Sequence, residues 1–254
     1  MKKMSSDLHS LIGSMTKTEK RYFHVYAGRH FPKDNQYARL FAAIDKQKEY
    51  DEQALATQFS QGRSASHFAV IKNQLYAEVL QSLTRYHEAQ DAEMQLTNAS
   101  YHCQILLRKG LYRQCLQQIH KYLHIAQELD QHETLIALLD TEKKVHMRMQ
   151  FTSMETGRLE VIRKTQEKAC ALLVEEATYQ FDIGTIYALH YQKRITQGKT
   201  LPVFERMMRE ERYRDIRFAR SFASRLDFLQ MHALHAFIHG DAEKAYHYNA
   251  QFLE

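Results

Sequence analysis

Apolar residues recur every three or four positions along most of the chain, the spacing that places side chains on one face of a helix. One such face consists of Phe68, Ile71, Leu75, Val79 and Leu83. Another consists of Leu226, Leu229, Ala233 and Phe237. We expect both sets to be core residues of amphipathic helices, because apolar residues at this spacing are more often buried than part of a binding site.

The first 89 residues contain separate signals for several short helices. Thr16 is followed three residues later by Glu19, which predicts a capping box and a helix that begins near Lys17. Pro32 predicts the end of that helix, because proline lacks the backbone N–H that a helix needs. Asp51 predicts the start of a further helix. We therefore assign residues 1–89 to an N-terminal helical region.

The rest of the chain, residues 90–254, is predicted to form helical hairpins. Five of the eight glycines follow one another at intervals of 48, 47, 41 and 42 residues, namely Gly62, Gly110, Gly157, Gly198 and Gly240. Such a period is typical of repeated units that bury their apolar faces by stacking on one another. After Gly240 the chain has room for only a short second helix, so we expect the repeat array to be truncated at the C-terminus.

Composition supports an all-α protein. The chain has 2 prolines and 8 glycines in 254 residues, whereas average usage would give about 13 and about 18. The many tight turns of a sheet protein need these residues. Three cysteines without paired spacing fit a reducing compartment. Because the sequence shows no signal peptide and no long apolar run, we predict a cytoplasmic protein without a membrane segment.

Two turns resemble those of the tetratricopeptide-repeat family. In the segments Gly110–Cys115 and Gly240–Ala245, a glycine is followed five positions later by a small residue, and Cys103 and Ala233 lie seven positions before the two glycines. The resemblance implies a tetratricopeptide-like α-α superhelix, here with lengthened helices, that binds a partner along its concave face. The segment Met15–Phe23 is also similar to the opening of uncharacterised bacterial helical-repeat proteins, a resemblance that implies no activity.

Histidine is abundant, with 15 residues, and three of them share one predicted helix face: His232, His235 and His239. His120 and His124 form a second pair at a spacing of four. His232 and His239 would lie about 10 Å apart along a helix, too far to bind one ion, so a further metal ligand would have to come from another helix. We predict no metal site and interpret the three histidines as a polar stripe that lines a partner-binding groove.

A basic cluster follows in the segment 206–220. If this segment is one helix, its side chains form a ridge about 21 Å long on one face. The ridge consists of Arg206, Arg209, Tyr213, Arg217 and Arg220. Arginine binds phosphates and carboxylates in a bidentate manner, so the ridge suits an acidic partner or nucleic acid. The alternative is a turn near Tyr213, which would split the ridge between two helices, and nearby acidic residues would neutralise part of it.

No phosphate-binding glycine loop, HExxH sequence or nucleophile elbow is present, so we predict no enzyme activity, no catalytic residue and no cofactor. Residues 51–86 superficially resemble a helix-turn-helix DNA reader. However, residues 34–100 contain six Lys or Arg and nine Asp or Glu, a net charge of −3, which is unfavourable for binding phosphates.

These observations predict a protein-interaction scaffold that binds a partner protein or peptide in the concave face of a helical solenoid. The alternative is a nucleic-acid-associated regulator that uses the Arg206–Arg220 ridge. The whole-chain charge of +5, from 35 basic and 30 acidic residues, does not decide between them.

Overall fold

The structure is a computed structural model, and it describes residues 6–31, 35–59, 65–88, 90–152, 154–191 and 201–251. Every regular element in these residues is a helix, which confirms the all-α class. The chain divides into two compact units, Met1–Gln95 and Leu96–Glu254. The assignment of residues 1–89 and 90–254 as domains stays a prediction. No helix in the described ranges is both long and apolar enough to cross a membrane.

Five helices lie within the first unit, among its described residues. They are α1 (Asp7–Ser14), α2 (Lys17–His30), α3 (Gln36–Asp45), α4 (Glu52–Phe59) and α5 (Ala65–Glu88). The predicted capping box is confirmed, because the Glu19 N–H donates to Thr16 Oγ1 (3.3 Å) and the Thr16 N–H donates to Glu19 Oε2 (2.6 Å). Asp51 caps α4 as predicted, and its Oδ1 accepts from the Ala54 N–H at 3.0 Å.

The core of this unit lies where α5 packs on α2, α3 and α4. The predicted apolar face of α5 is confirmed, since Phe68, Ile71, Leu75 and Val79 are buried and Leu83 packs against them. The candidate DNA-reading helix α5 does not offer Lys72 to a phosphate, because this residue is buried and paired with Glu52 on α4.

Seven further helices follow in the described residues, the first of which begins four residues before the second unit does. They are α6 (Ala92–Arg108), α7 (Tyr112–Glu128), α8 (His132–Arg148), α9 (Arg158–Tyr191), α10 (Leu201–Met208), α11 (Phe222–Ile238) and α12 (Ala242–Gln251). Two short 3-10 turns, Glu211–Tyr213 and Ile216–Phe218, separate α10 from α11. Helix α8 packs between α7 and α9, and α11 packs between α9 and α12. Helices adjacent in the chain thus pack on each other from α7 to α9 and from α11 to α12, and α9 joins these two groups.

The turns at Gly110 and Gly240 follow the ends of α6 and α11, where the resemblance placed helix-ending glycines. Gly110 and Gly240 adopt positive φ angles of 72° and 75°, which glycine tolerates because it has no Cβ. In each turn the N–H of the next residue reaches back to the preceding helix: Leu111 donates to the Leu106 carbonyl at 3.0 Å and Asp241 to the Ala236 carbonyl at 2.9 Å. This is the Schellman arrangement at a helix C-terminus.

The small residues predicted beside these turns are buried between helices. Cys103 and Cys115 are fully buried, and the Cys115 thiol donates to the Cys103 carbonyl at 3.2 Å. Ala233 and Ala245 occupy the matching buried positions on α11 and α12. Small side chains at these positions let paired helices approach each other closely.

Other turns agree with the glycine period only in part. Gly157, at φ 88°, lies in the connection between α8 and α9, which pack on each other, but α9 is a single helix of 34 residues. Proline is absent from α9, and its one glycine, Gly184, does not end it. The turn between α7 and α8 uses Asp130 at φ 50° instead of a glycine. Gly62 and Gly198 lie outside the described residues.

The prediction of Phe237 as a core residue is wrong, because its side chain is 68% exposed. Leu229 and Ala233 are buried as predicted, and Leu226 is partly buried. Near the end of α11 the buried face passes through Ala233 and Ala236. Phe237 follows Ala236 by one residue, a rotation of about 100° around the helix that turns it outward.

Candidate functional site

The predicted arginine ridge does not form, because the segment is not one helix. Helix α10 ends at Met208, and the chain then turns twice before α11 begins at Phe222. The five ridge residues therefore do not lie on one helix face. The structure therefore has the alternative arrangement, in which turns around Tyr213 divide the five residues between separate elements.

Three of the five ridge residues are engaged within the protein. Arg217 pairs with Asp215, two residues earlier, at 2.6 Å. Arg220 Nε lies 2.6 Å from Glu175 Oε2 on α9.

Tyr213 is buried, and its hydroxyl donates to Asp182 Oδ2 on α9 at 3.0 Å. Burial and the Asp182 charge raise the pKa of Tyr213, so it is a neutral core residue. Arg206 and Arg209 are exposed.

The histidine stripe on α11 is divided between two environments. His232 faces the interior, and its Nε2 lies 2.8 Å from the Tyr213 carbonyl oxygen. Burial lowers the pKa of His232, which keeps it neutral. His235 and His239, one helical turn apart, instead face α10. The three residues therefore do not form one continuous polar surface.

His235 and His239 converge on a single carboxylate. Glu205 Oε1 lies 2.8 Å from His235 Nε2 and 2.7 Å from His239 Nε2. Hydrogen bonds from His235 and His239 lower the pKa of Glu205, so the carboxylate is ionised. Within the described residues, this is the one group of three His, Cys, Asp or Glu side chains whose ligand atoms converge, all within 4.8 Å of one another. The sequence placed the histidines on one face, but it gave no sign that Glu205 would face them.

The other histidine pair lies beside a groove between α7, α8 and α9. The groove has a volume of about 520 Å³, and His120, His124 and His146 are among its lining residues. At its base lies Glu142, which is fully buried and accepts from Arg158 Nε at 2.7 Å and from Arg158 Nη2 at 2.8 Å. The bidentate pair occupies both carboxylate oxygens, so the groove presents an ion pair and not a free acid.

A further candidate surface, which the sequence analysis did not identify, lies on the outer side of α9. Seven residues at alternating spacings of four and three residues are exposed there: Cys170, Val174, Ala177, Phe181, Gly184, Ala188 and Tyr191. We call this set the α9 seam. Val174 is 69% exposed, Phe181 72% and Tyr191 80%. The same heptad spacing is visible in the sequence, but there it resembles a core face, and only the structure shows that the seam faces outward.

The α9 seam is uncharged because the nearby acidic residues face inward. Between Ala169 and Tyr191 the sequence has no Lys or Arg and only three acidic residues, Glu175, Glu176 and Asp182. Glu175 pairs with Arg220, and Glu176 lies 3.5 Å from His132 of α8. Asp182 accepts from Tyr213. The seam therefore combines exposed apolar atoms with a lack of charge.

Comparison with protein-family models, with curated proteins and with solved structures finds no match for the chain.

Proposed function

We propose that this protein is an interaction module that binds an α-helix of a partner protein along the α9 seam. The observation that supports this function is the exposed, uncharged heptad pattern on α9. Residues repeating at alternating three- and four-residue spacings are what one helix presents to another in coiled-coil-like packing. The seam extends over 21 residue steps, from Cys170 to Tyr191, or about 32 Å along the helix axis.

The shape of the seam favours a helical partner. Large side chains at Val174, Phe181 and Tyr191 are separated by small residues at Ala177, Gly184 and Ala188. The small residues leave depressions into which side chains of a second helix fit, and they let its backbone come close. This arrangement corresponds to the binding of an amphipathic helix through apolar side chains at i, i+3, i+4 and i+7.

The chemistry of the flanks is consistent with an interface core. The hydroxyls of Thr178 and Thr185 donate to the carbonyls of Val174 and Phe181, at 2.7 Å and 2.8 Å, within α9 itself. Their donor hydrogens are thus used within the helix. Cores of protein interfaces are depleted of charged residues, whereas the first part of α9 exposes Glu160, Arg163 and Lys164 in surface ion pairs.

This proposal keeps the predicted binding role but relocates it from the arginine and histidine side chains to α9. We also propose a tetratricopeptide-like origin for the hairpins α6–α7 and α11–α12. Their glycine turns and buried small residues support this relation, and the 34-residue α9 departs from it. The nucleic-acid alternative depended on a single basic ridge, and no described feature now favours it. That the protein is cytoplasmic and has no enzyme activity stays a prediction.

The binding role can be tested by site-specific photocrosslinking in cells that naturally express the protein. A photoreactive phenylalanine analogue at Ala177 should form an adduct with a second protein, and the same analogue at Lys164, exposed on the same helix, should not. Adding Phe181→Asp to the Ala177 probe should remove the adduct. Because Phe181 is 72% exposed, this change should alter the free energy of unfolding by less than about 0.5 kcal/mol.

Two results would contradict the proposed function. One is the absence of any adduct at Ala177 above the level at Lys164. The other is an adduct whose mass corresponds only to two copies of this chain, which would make the α9 seam a homodimer interface and not a site for another protein.

A further inference from the structure

Glu205, His235 and His239 bring together the donor atoms that zinc prefers. Two imidazole nitrogens and one carboxylate oxygen form the ligand set of many zinc sites. His235 lies in α11 and His239, four residues later, is the residue that caps its C-terminus, so their rings project from the same side of the helix. The carboxylate is supplied by α10. A metal ligand set assembled from two elements is specific to this fold, because the sequence separates Glu205 from His235 by 30 residues.

The distances are compatible with a shared cation. Ligand atoms of a tetrahedral zinc ion, each about 2.0 to 2.1 Å from the metal, lie roughly 3.4 Å apart. The two observed nitrogen–oxygen distances are 2.8 Å and 2.7 Å, and all ligand atoms lie within 4.8 Å. Each nitrogen–oxygen distance would have to lengthen by about 0.6 to 0.7 Å to reach this spacing. This adjustment is small for a side chain that is 33% exposed.

We propose that Glu205, His235 and His239 form a zinc-binding site in which water completes the coordination sphere. His232 is not a ligand, because its Nε2 is directed to the Tyr213 carbonyl. The site is open on one side, since the His239 side chain is 41% exposed and leaves access for the ion and for water. The proposal concerns binding of the cation and assigns no reaction to it.

Zinc at this position would join α10 to α11. Helix α10 has eight residues, and its Phe204 side chain is fully buried, with its ring centroid 5.2 Å from that of His235. A zinc ion bound by Glu205, His235 and His239 would link α10 to α11 at a second point, in addition to the packing of Phe204. Bound zinc should therefore stabilise the folded protein, because a ligand that binds only the native state shifts the folding equilibrium.

The test is a zinc titration of the full chain, prepared without a histidine tag and freed of metal by chelation. Calorimetry should show one zinc ion per chain with a dissociation constant below about 0.1 mM. Glu205→Gln and His239→Ala should each weaken binding at least about tenfold. Cobalt should report the same site by a change in its visible absorption, which the two variants should lose.

Matched controls are available on other helices. His247→Ala removes an exposed histidine of α12, and His124→Ala removes one member of the other histidine pair. Both variants should bind zinc within about twofold of the unmodified chain. Zinc should raise the melting temperature of the unmodified chain and the controls, but not that of Glu205→Gln.

The proposal is overturned if the unmodified chain binds zinc more weakly than about 1 mM. It is also overturned if Glu205→Gln and His239→Ala, shown by circular dichroism to be folded, bind zinc as the controls do. In either case the three side chains form only a hydrogen-bonded cluster.

Discussion

The two histidine pairs, His120–His124 on α7 and His235–His239 on α11, have the same spacing but different carboxylate partners. His235 and His239 both reach Glu205. His120 lies 3.6 Å from Glu142, whereas His124 lies 3.1 Å from Glu128 on its own helix. The comparison shows that spacing places histidines on one face, but the carboxylate supplied by a neighbouring element decides whether they act together.

The carboxylates also differ in what the fold requires of them. Glu142 is completely buried and held by the guanidinium of Arg158, whereas Glu205 is partly exposed and held only by imidazoles. A buried carboxylate needs a charged partner, because an isolated charge in the interior is very unfavourable. We therefore expect Glu142 to stabilise the folded protein, whereas Glu205 is accessible to a ligand.

The largest effect is expected when the buried carboxylate of Glu142 is removed. Glu142→Ala leaves the Arg158 guanidinium without its bidentate partner and opens a void between α8 and α9. We expect a loss of about 3 kcal/mol in the free energy of unfolding, measured by equilibrium denaturation in urea at pH 7.

The control for this measurement is Glu160→Ala, an exposed acidic residue that pairs with Arg163 on α9. Surface ion pairs contribute little, so we expect a change below about 1 kcal/mol. If the two variants were equally stable, the buried ion pair would not be what holds α8 and α9 together.

Asp227 on α11 provides a third carboxylate, which has neither type of partner. Its Oδ2 is buried, and the described residues offer it no hydrogen bond. Burial and the nearby charge of Glu176 raise the pKa of Asp227. Because the native state favours the protonated acid, this group lowers stability as pH rises from its unfolded pKa of about 3.9 through its folded pKa.

Asp227→Asn should therefore stabilise the protein at pH 7, by roughly 1 kcal/mol. The gain should shrink as pH is lowered and disappear below about pH 4, where the acid is protonated in both states. Melting temperatures of both proteins from pH 3.5 to pH 7 measure this. A variant that melts at a lower temperature at pH 7 would show that the charged Asp227 makes favourable contacts.

Local features of the fold could be predicted from the sequence because their causes lie within a few residues. Thr16 and Glu19 form the capping box, and Gly110 and Gly240 lie just after helices α6 and α11, in turns where both adopt positive φ angles. The turn at Asp130 could not be found by counting glycines, because aspartate only occasionally takes this conformation. The glycine spacing also does not predict the length of α9. Its 34 residues contain no proline, and the one glycine within it does not end the helix.

The candidate sites depend on contacts between residues far apart in the chain. Tyr213 was assigned to a surface ridge, but Asp182, 31 residues earlier, accepts its hydroxyl in the core. In the sequence, Glu205 is one of the acidic residues near the arginines. That it faces α11 is determined by the turns between α10 and α11. For the α9 seam, the heptad spacing was present in the sequence. Which face of α9 is covered depends on where α8 and α11 pack.

The smallest expected effect concerns Glu205 without metal. Hydrogen bonds from His235 and His239 lower the pKa of Glu205, so its contribution is complete above the unfolded pKa of about 4.3 and is lost as pH falls through the lower, folded pKa. Glu205→Gln should therefore reduce stability at pH 7 in the presence of a chelator, and by less than about 1 kcal/mol because the cluster is partly exposed.

Glu128→Gln is the matched control for this last measurement, because Glu128 also faces a histidine but both side chains are more than 60% exposed. At pH 7 its stability should lie within about 0.5 kcal/mol of that of the unmodified chain, whereas the deficit of Glu205→Gln should narrow below about pH 4. The two variants could instead change the free energy of unfolding equally and independently of pH. The convergence of two histidines on Glu205 would then give no more stability than an ordinary surface pair. In that event the difference between the two histidine pairs could lie only in their capacity to bind metal.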